Sequence, residues 1–200
     1  MILYKRRIQL KSYFLAHHLP LETLGKSALE LGIAMNFEKE EIIKLPNNKD
    51  VIFFVNKGLA AAFSKDANVN SWTRLIGENT IFLISSSTTD SLFEAFEWRS
   101  LTKLKVMAIP YQRFKESLGN FSSHWEEFCI HLHKMEVQSM KHLAAISTLK
   151  STEKIEYLED HYTSILLQAN YTFIAKFIGL KRESLSRLIS QKKHMPSLYI

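Results

Sequence analysis

The residues best placed to do chemistry lie near the carboxyl end, in the stretch Asn170-Tyr-Thr-Phe-Ile-Ala-Lys-Phe-Ile-Gly-Leu-Lys-Arg-Glu-Ser-Leu-Ser-Arg-Leu-Ile-Ser-Gln191. Lys181, Arg182, Glu183, Ser184, Ser186 and Arg187 fall on one side of a helical spacing whose other side is Leu185, Leu188 and Ile189. Arginine can grip guanine with two parallel bonds, glutamate can accept from the cytosine amino group, and hydroxyls and ammonium groups reach phosphates. Residues 171–200 hold six cations (Lys176, Lys181, Arg182, Arg187, Lys192, Lys193) against the single acid Glu183, most of the chain's formal charge of +6. Such a patch favours a polyanion through counterion release. No other grouping competes. His124, His131 and His133 lack a completing ligand, so no metal site is expected. Cys129 sits beside apolar Phe128 and reads as packing. No nucleophile–base pair can be assembled, and no glycine-rich phosphate cradle appears, so neither an enzyme nor a cofactor is expected. Ser85-Ser-Ser-Thr-Thr-Asp90 reads as a polar loop.

These residues need a support that holds them at a fixed angle. Asn170 can cap a first helix, along which Phe173, Ile174, Phe177 and Ile178 recur at helical spacing. Ala175 is small where a second helix must cross, Gly179 permits a left-handed turn, and Leu180 plugs the corner. The spacing Ile-Ala-x3-Gly-Leu-x4-Leu-x2-Leu predicts a helix-turn-helix with its second helix in a major groove. The competing reading is an ordinary helix pair with a solvated charged face.

Two hundred residues, 46% apolar and 23% charged, suit one large or two small folded domains. There is no run of eighteen apolar residues and no secretion signal, and one cysteine cannot form an internal disulfide. A cytoplasmic protein without membrane attachment is expected. From the start, Leu3, Ile8, Tyr13, Phe14 and Leu15 mix with Lys5, Arg6, Arg7 and Lys11, which predicts an amphipathic helix with a solvated basic face. Pro20 opens a second helix that Gly32 ends. Short strand-like runs follow from 41 to 109, suggesting an antiparallel roll over an inner cavity. Within them, Val51–Val55 and Leu59–Phe63 flank Asn56-Lys-Gly58, the strongest hairpin signal in the chain. From Phe121 to about Leu149, the row Phe121, Trp125, Phe128, Leu132, Met135, Ser139, His142, Ile146 and Leu149 alternates intervals of four and three. That pattern predicts a seam between two copies of the chain, the alternative being that the helix packs only against the roll of its own chain.

This order of parts, together with Ile174-Ala-x-Phe-Ile-Gly-Leu-Lys-Arg-Glu-Ser-Leu-Ser-Arg187, Ser151-Thr-Glu-Lys-Ile-Glu-Tyr-Leu158 and Val51-Ile-Phe-Phe-Val-Asn-Lys-Gly58, resembles the cyclic-AMP receptor protein (Crp/Fnr) family of bacterial transcription regulators. The resemblance implies an α+β chain: an N-terminal antiparallel β-roll of the cyclic-nucleotide-binding, jelly-roll type with its helices (1–119), a dimerisation helix (120–149) and a winged-helix-like helix-turn-helix domain (150–200). It implies DNA, a second copy and RNA polymerase as partners, with the roll either binding a small-molecule effector of unknown identity or acting as a scaffold. Base reading is carried over to Arg182, Glu183 and Arg187, and phosphate contact to Lys181, Ser184, Ser186 and Thr172. Two departures stand out. Gly77-Glu78 is not followed by the Arg-Ser or Arg-Thr that clamps a cyclic phosphate, which argues against cyclic AMP. The few residues after the recognition helix leave little room for a β-hairpin wing. The alternative is a ligand-binding or protein-interaction roll whose helix-turn-helix is no longer used for DNA.

Overall fold

The computed structural model describes residues 2–45, 50–64, 72–85, 96–162 and 165–194. Residues 46–49 and 65–71, most of the polar loop ending at Asp90, and the residues after 194 lie outside them. Helix α1 (Ile2–Ala16) leads through one π-turn (Leu21–Gly25) into α2 (Lys26–Leu31). Then come β1 (Ile33–Phe37), β2 (Val51–Lys57), β3 (Ala60–Ser64), β4 (Trp72–Ile76), β5 (Ile81–Ile84), β6 (Phe96–Ser100) and β7 (Leu104–Pro110). Helices α3 (Tyr111–Ser117), α4 (Ser122–Thr148), α5 (Ser151–His161), α6 (Ile165–Gln168), α7 (Tyr171–Phe177) and α8 (Arg182–His194) complete the chain.

The strands form two antiparallel sheets, β1-β7-β2-β5 and β4-β3-β6, which together make the roll. Its interior is filled by Phe53, Phe82, Val55, Leu104, Val106 and their neighbours, with Phe53 stacked on Phe82 and Phe82 on Trp98. The inner cavity expected from the strand pattern is therefore occupied by side chains. The expected hairpin at Asn56–Gly58 is also corrected: β2 pairs with β5 and β7, whereas β3 pairs with β4 and β6. Six consecutive buried residues along β2 require cover on both faces and partners on both edges, so the chain leaves for the second sheet at Gly58. There φ is +98°, and a Cβ would lie 2.5 Å from the Lys103 carbonyl oxygen. Strand β1 escapes the sequence pattern because Ile33-Ala-Met-Asn-Phe37 shows no apolar–polar alternation, and residues 41–45, expected to be a strand, make only the Ile42–Arg99 bridge.

The first helix is less simply amphipathic than its sequence suggests. Leu10, Tyr13 and Phe14 are buried, while Leu3, Ile8 and Leu15 are exposed. Arg6 is 5% exposed, and its guanidinium donates to the Met35 and Val106 carbonyl oxygens and to Asn36 Oδ1. It thus fastens α1 to the β1–β7 edge, and burial lowers its pKa. The basic start is a solvated face only at its other cations.

Helix α4 runs 27 residues, close to the expected span, and Phe128, Leu132 and Ile146 of the predicted seam pack against their own chain, whereas Phe121 is 52% exposed. Phe128 is fully buried against Phe114 and Trp125, with ring centroids 5.2 and 6.0 Å away. Leu132 packs in the same cluster beneath α1 to α3, and Ile146 joins the core of the C-terminal helices. The three histidines are accounted for differently. His124 Nδ1 meets Thr23 Oγ1 at 2.9 Å, buried His131 Nε2 meets Tyr13 Oη at 2.5 Å, and His133 is exposed.

Burial, with His17 and Lys134 nearby, lowers the His131 pKa to about 4. The fold therefore favours the neutral ring, and the stability this gives is complete above the unfolded value near 6.5 and is lost as pH falls toward 4. Urea unfolding is expected to show about 2 kcal/mol less stability at pH 5 than at pH 7.5 from this group. Substituting His131→Gln should flatten that slope; an unchanged slope would assign it to other groups.

Candidate nucleic-acid interface

The sequence motif folds as its residue types require. Asn170 Oδ1 accepts from the Thr172 backbone N–H at 2.8 Å and caps α7. Phe173, Ile174, Ala175, Phe177 and Ile178 are buried, and Ala175 is 2% exposed under the crossing helix. Gly179 has φ of +70°, and the Leu180 N–H closes the turn on the Ala175 carbonyl at 2.8 Å. No atom lies within 4 Å of where a Gly179 Cβ would be, so only backbone conformation selects glycine there. Leu185 and Ile189 anchor α8 in the core. Two contacts invisible in sequence fix its angle. Lys154 Nζ of α5 donates to the Ile178 carbonyl at 2.9 Å, and Lys192 near the end of α8 pairs with Glu159 of α5.

With α8 held this way, Lys181, Arg182, Glu183, Ser186 and Arg187 are all exposed and share its outer side, while Ser184 is half-buried. Ser190 and Gln191 continue the same exposed row. Thr172 is exposed but stands apart from this row. It lines a small groove with Lys176 against Glu40, Phe63 and Arg99 of the roll. Lys192, part of the basic patch in sequence, is committed to Glu159.

A second feature lies where roll, α4 and α5 meet. A cavity of about 490 Å³ is bordered by Arg74, Glu78, Ser139, His142, His161 and Tyr162, among others. Arg74 pairs with Glu136 of α4, and its buried Nε has no hydrogen-bond partner. Glu78 accepts from the Gly58 N–H at 3.0 Å. His142 Nδ1 meets Tyr157 Oη at 2.6 Å, and the rings of His142 and His161 lie 4.9 Å apart. Burial and then His161 lower the His142 pKa. Sequence reasoning looked for a cavity arginine after Gly77-Glu78 and missed Arg74, three residues before that pair, because only the fold turns β4 toward α4.

A filled antiparallel roll, a long helix and a C-terminal helix-turn-helix together define the fold of the Crp/Fnr transcription regulators. Solved structures bear this out. A Crp/Fnr-family transcriptional regulator from Eubacterium rectale matches with a TM-score of 0.62 and 17% identity, over 91% of this chain and 88% of that one. FixK2 from Bradyrhizobium japonicum matches with a TM-score of 0.61 and 12% identity, over 81% and 84%. A cyclic nucleotide-binding domain containing protein from Listeria monocytogenes gives 0.59 and 14%, over 85% and 88%. At the level of sequence, no family model and no curated protein matches. No helix among the described residues is long and apolar enough to cross a membrane.

Proposed function

We propose that this chain is a homodimeric, sequence-specific DNA-binding transcription regulator of the Crp/Fnr type. The observation that carries the reading is the exposed row Arg182, Glu183, Ser186 and Arg187 on a helix whose other side is anchored by Leu185 and Ile189. Had those arginines turned inward, the reading would fail. Arg182, Glu183 and Arg187 would read base edges, with Lys181, Ser184 and Ser186 on phosphates.

Dimerisation is assigned to α4, but through the face opposite the predicted stripe. Ile130, His133, Val137, Met140 and Ala144 alternate intervals of three and four, and Ile130 and Met140 are 55% and 67% exposed. Two recognition helices would then read half-sites about one helical turn apart.

The cavity at the three-way junction is the natural place for an effector, because the roll interior is full. Arg74, the cation there, is already paired with Glu136, which supports an effector other than cyclic AMP. The test of the whole reading is a gel shift of genomic fragments at two salt concentrations, where salt-sensitive, sequence-selective retention is expected. Replacing Arg182 or Arg187 with alanine should cost about 1–3 kcal/mol at one base position and relax specificity there. Retention that ignores both sequence and salt would reject the proposal.

A further inference from the structure

We propose that Glu40, in the roll's acidic turn, restrains DNA binding by holding its carboxylate beside the polar face of α7. This inference rests on the nucleic-acid reading above and goes beyond it.

The helix-turn-helix is not hung loosely from α4. Phe173, Ile174 and their neighbours share one apolar core with Leu59, Ala61, Leu75 and Leu101 of the roll. Polar ties border the junction. Lys39 Nζ donates to the Gln168 carbonyl at 3.2 Å, and Asn170 Nδ2 donates to Glu40 Oε1 at 3.4 Å. Thr172 and Lys176, the exposed side chains of α7 suited to phosphate contact, line the groove that Glu40 borders. The first helix of such a motif crosses the DNA backbone when the second enters the groove. A phosphate approaching Thr172 and Lys176 therefore meets a carboxylate of the same sign, while Arg99 on the groove's other wall is paired with Glu97.

The turn is built to hold that carboxylate. Glu38 pairs with Lys103 at 3.3 Å, and Glu41 Oε2 accepts from the Glu38 N–H at 2.7 Å, so both are engaged within the roll. Glu40 alone reaches across to Asn170, from a backbone φ of +66° that a side-chain-bearing residue rarely adopts. The Glu40 N–H donates to the Ser100 carbonyl at 2.8 Å and the Glu41 N–H to Ser100 Oγ at 3.0 Å, which clamps the turn to β6. Strain kept by so many contacts points to a positional role. A shift of the C-terminal unit on the roll would carry Thr172 and Lys176 away from Glu40, which would make DNA affinity depend on that junction.

The test uses the full chain and a random-sequence duplex of about 30 base pairs at low salt, where phosphate contacts dominate. Glu40→Gln keeps the size and the backbone strain and removes only the charge. It should tighten binding about threefold, and Glu40→Lys about tenfold. Glu30→Gln, an exposed acid on α2, should leave affinity unchanged. Hydrogen exchange over 165–177 should quicken in a Lys39→Met, Glu40→Gln double variant. Equal gains from Glu30→Gln and Glu40→Gln would reduce the effect to net charge and overturn the proposal. Unchanged affinity of Glu40→Gln would overturn it as well, whatever the exchange rates. Failure of every form, wild type included, to bind the duplex would overturn the nucleic-acid reading itself and the restraint with it. Circular dichroism of each variant should match the wild type, since an unfolded polycation also binds a duplex at low salt.

Discussion

Phe128→Ala is expected to lower the unfolding free energy by about 3–5 kcal/mol, because it empties a fully buried aromatic site rather than a contact between chains. The ring sits between Phe114 and Trp125 and closes the cluster formed by α1, α2, α3 and β2. Little of that space can collapse, since Phe14, Phe54 and Phe114 around it are themselves close-packed and fully buried. In a chain of this size the thermal midpoint should fall by roughly 10 °C. Circular dichroism during urea and thermal unfolding measures both. A loss under about 1 kcal/mol, accompanied by dissociation into monomers, would return Phe128 to an intermolecular seam.

The second large effect is expected on the opposite face of the same helix. Val137→Glu combined with Met140→Glu places two carboxylates on the exposed row, where a paired copy would present the same two. Light scattering should then report a monomer, and affinity for a two-half-site operator should fall by about 100-fold or more, since the second half-site no longer binds as part of one molecule. Stability of the monomer should change little at Met140, which is 67% exposed, and modestly at half-buried Val137. A dimer that survives both changes would remove α4 from the interface. Together the two experiments assign the faces of α4: one set of substitutions unfolds the chain, the other separates it.

Those faces illustrate where sequence reasoning stops. Helix α4 carries two rows that both obey three-four spacing, and periodicity cannot rank them. The row with Phe121, Trp125, Phe128 and Leu132 looks like the stronger seam, yet the α1 to α3 layer needs large side chains to complete its own core and takes most of it. Met140 and Ile130, weaker in the sequence pattern, are what remains outside. The hairpin signal at Asn56-Lys-Gly58 failed for a related reason. Local turn chemistry predicted a reversal, but β2 already had partners on both edges, so the turn became a crossing between sheets.

The helix-turn-helix was legible because every determinant is local: Asn170 caps, Ala175 yields, Gly179 turns, and Leu185 and Ile189 anchor within twenty residues. The outward placing of Arg182 and Arg187 follows from that spacing alone. Arg6 in its cage of carbonyls, Arg74 beside Glu136, and Glu40 facing Asn170 were decided only by packing, since each depends on residues between 29 and 130 positions away. A charge's partner at such distance is set by how sheets and helices stack. Neighbouring residue types carry no record of it.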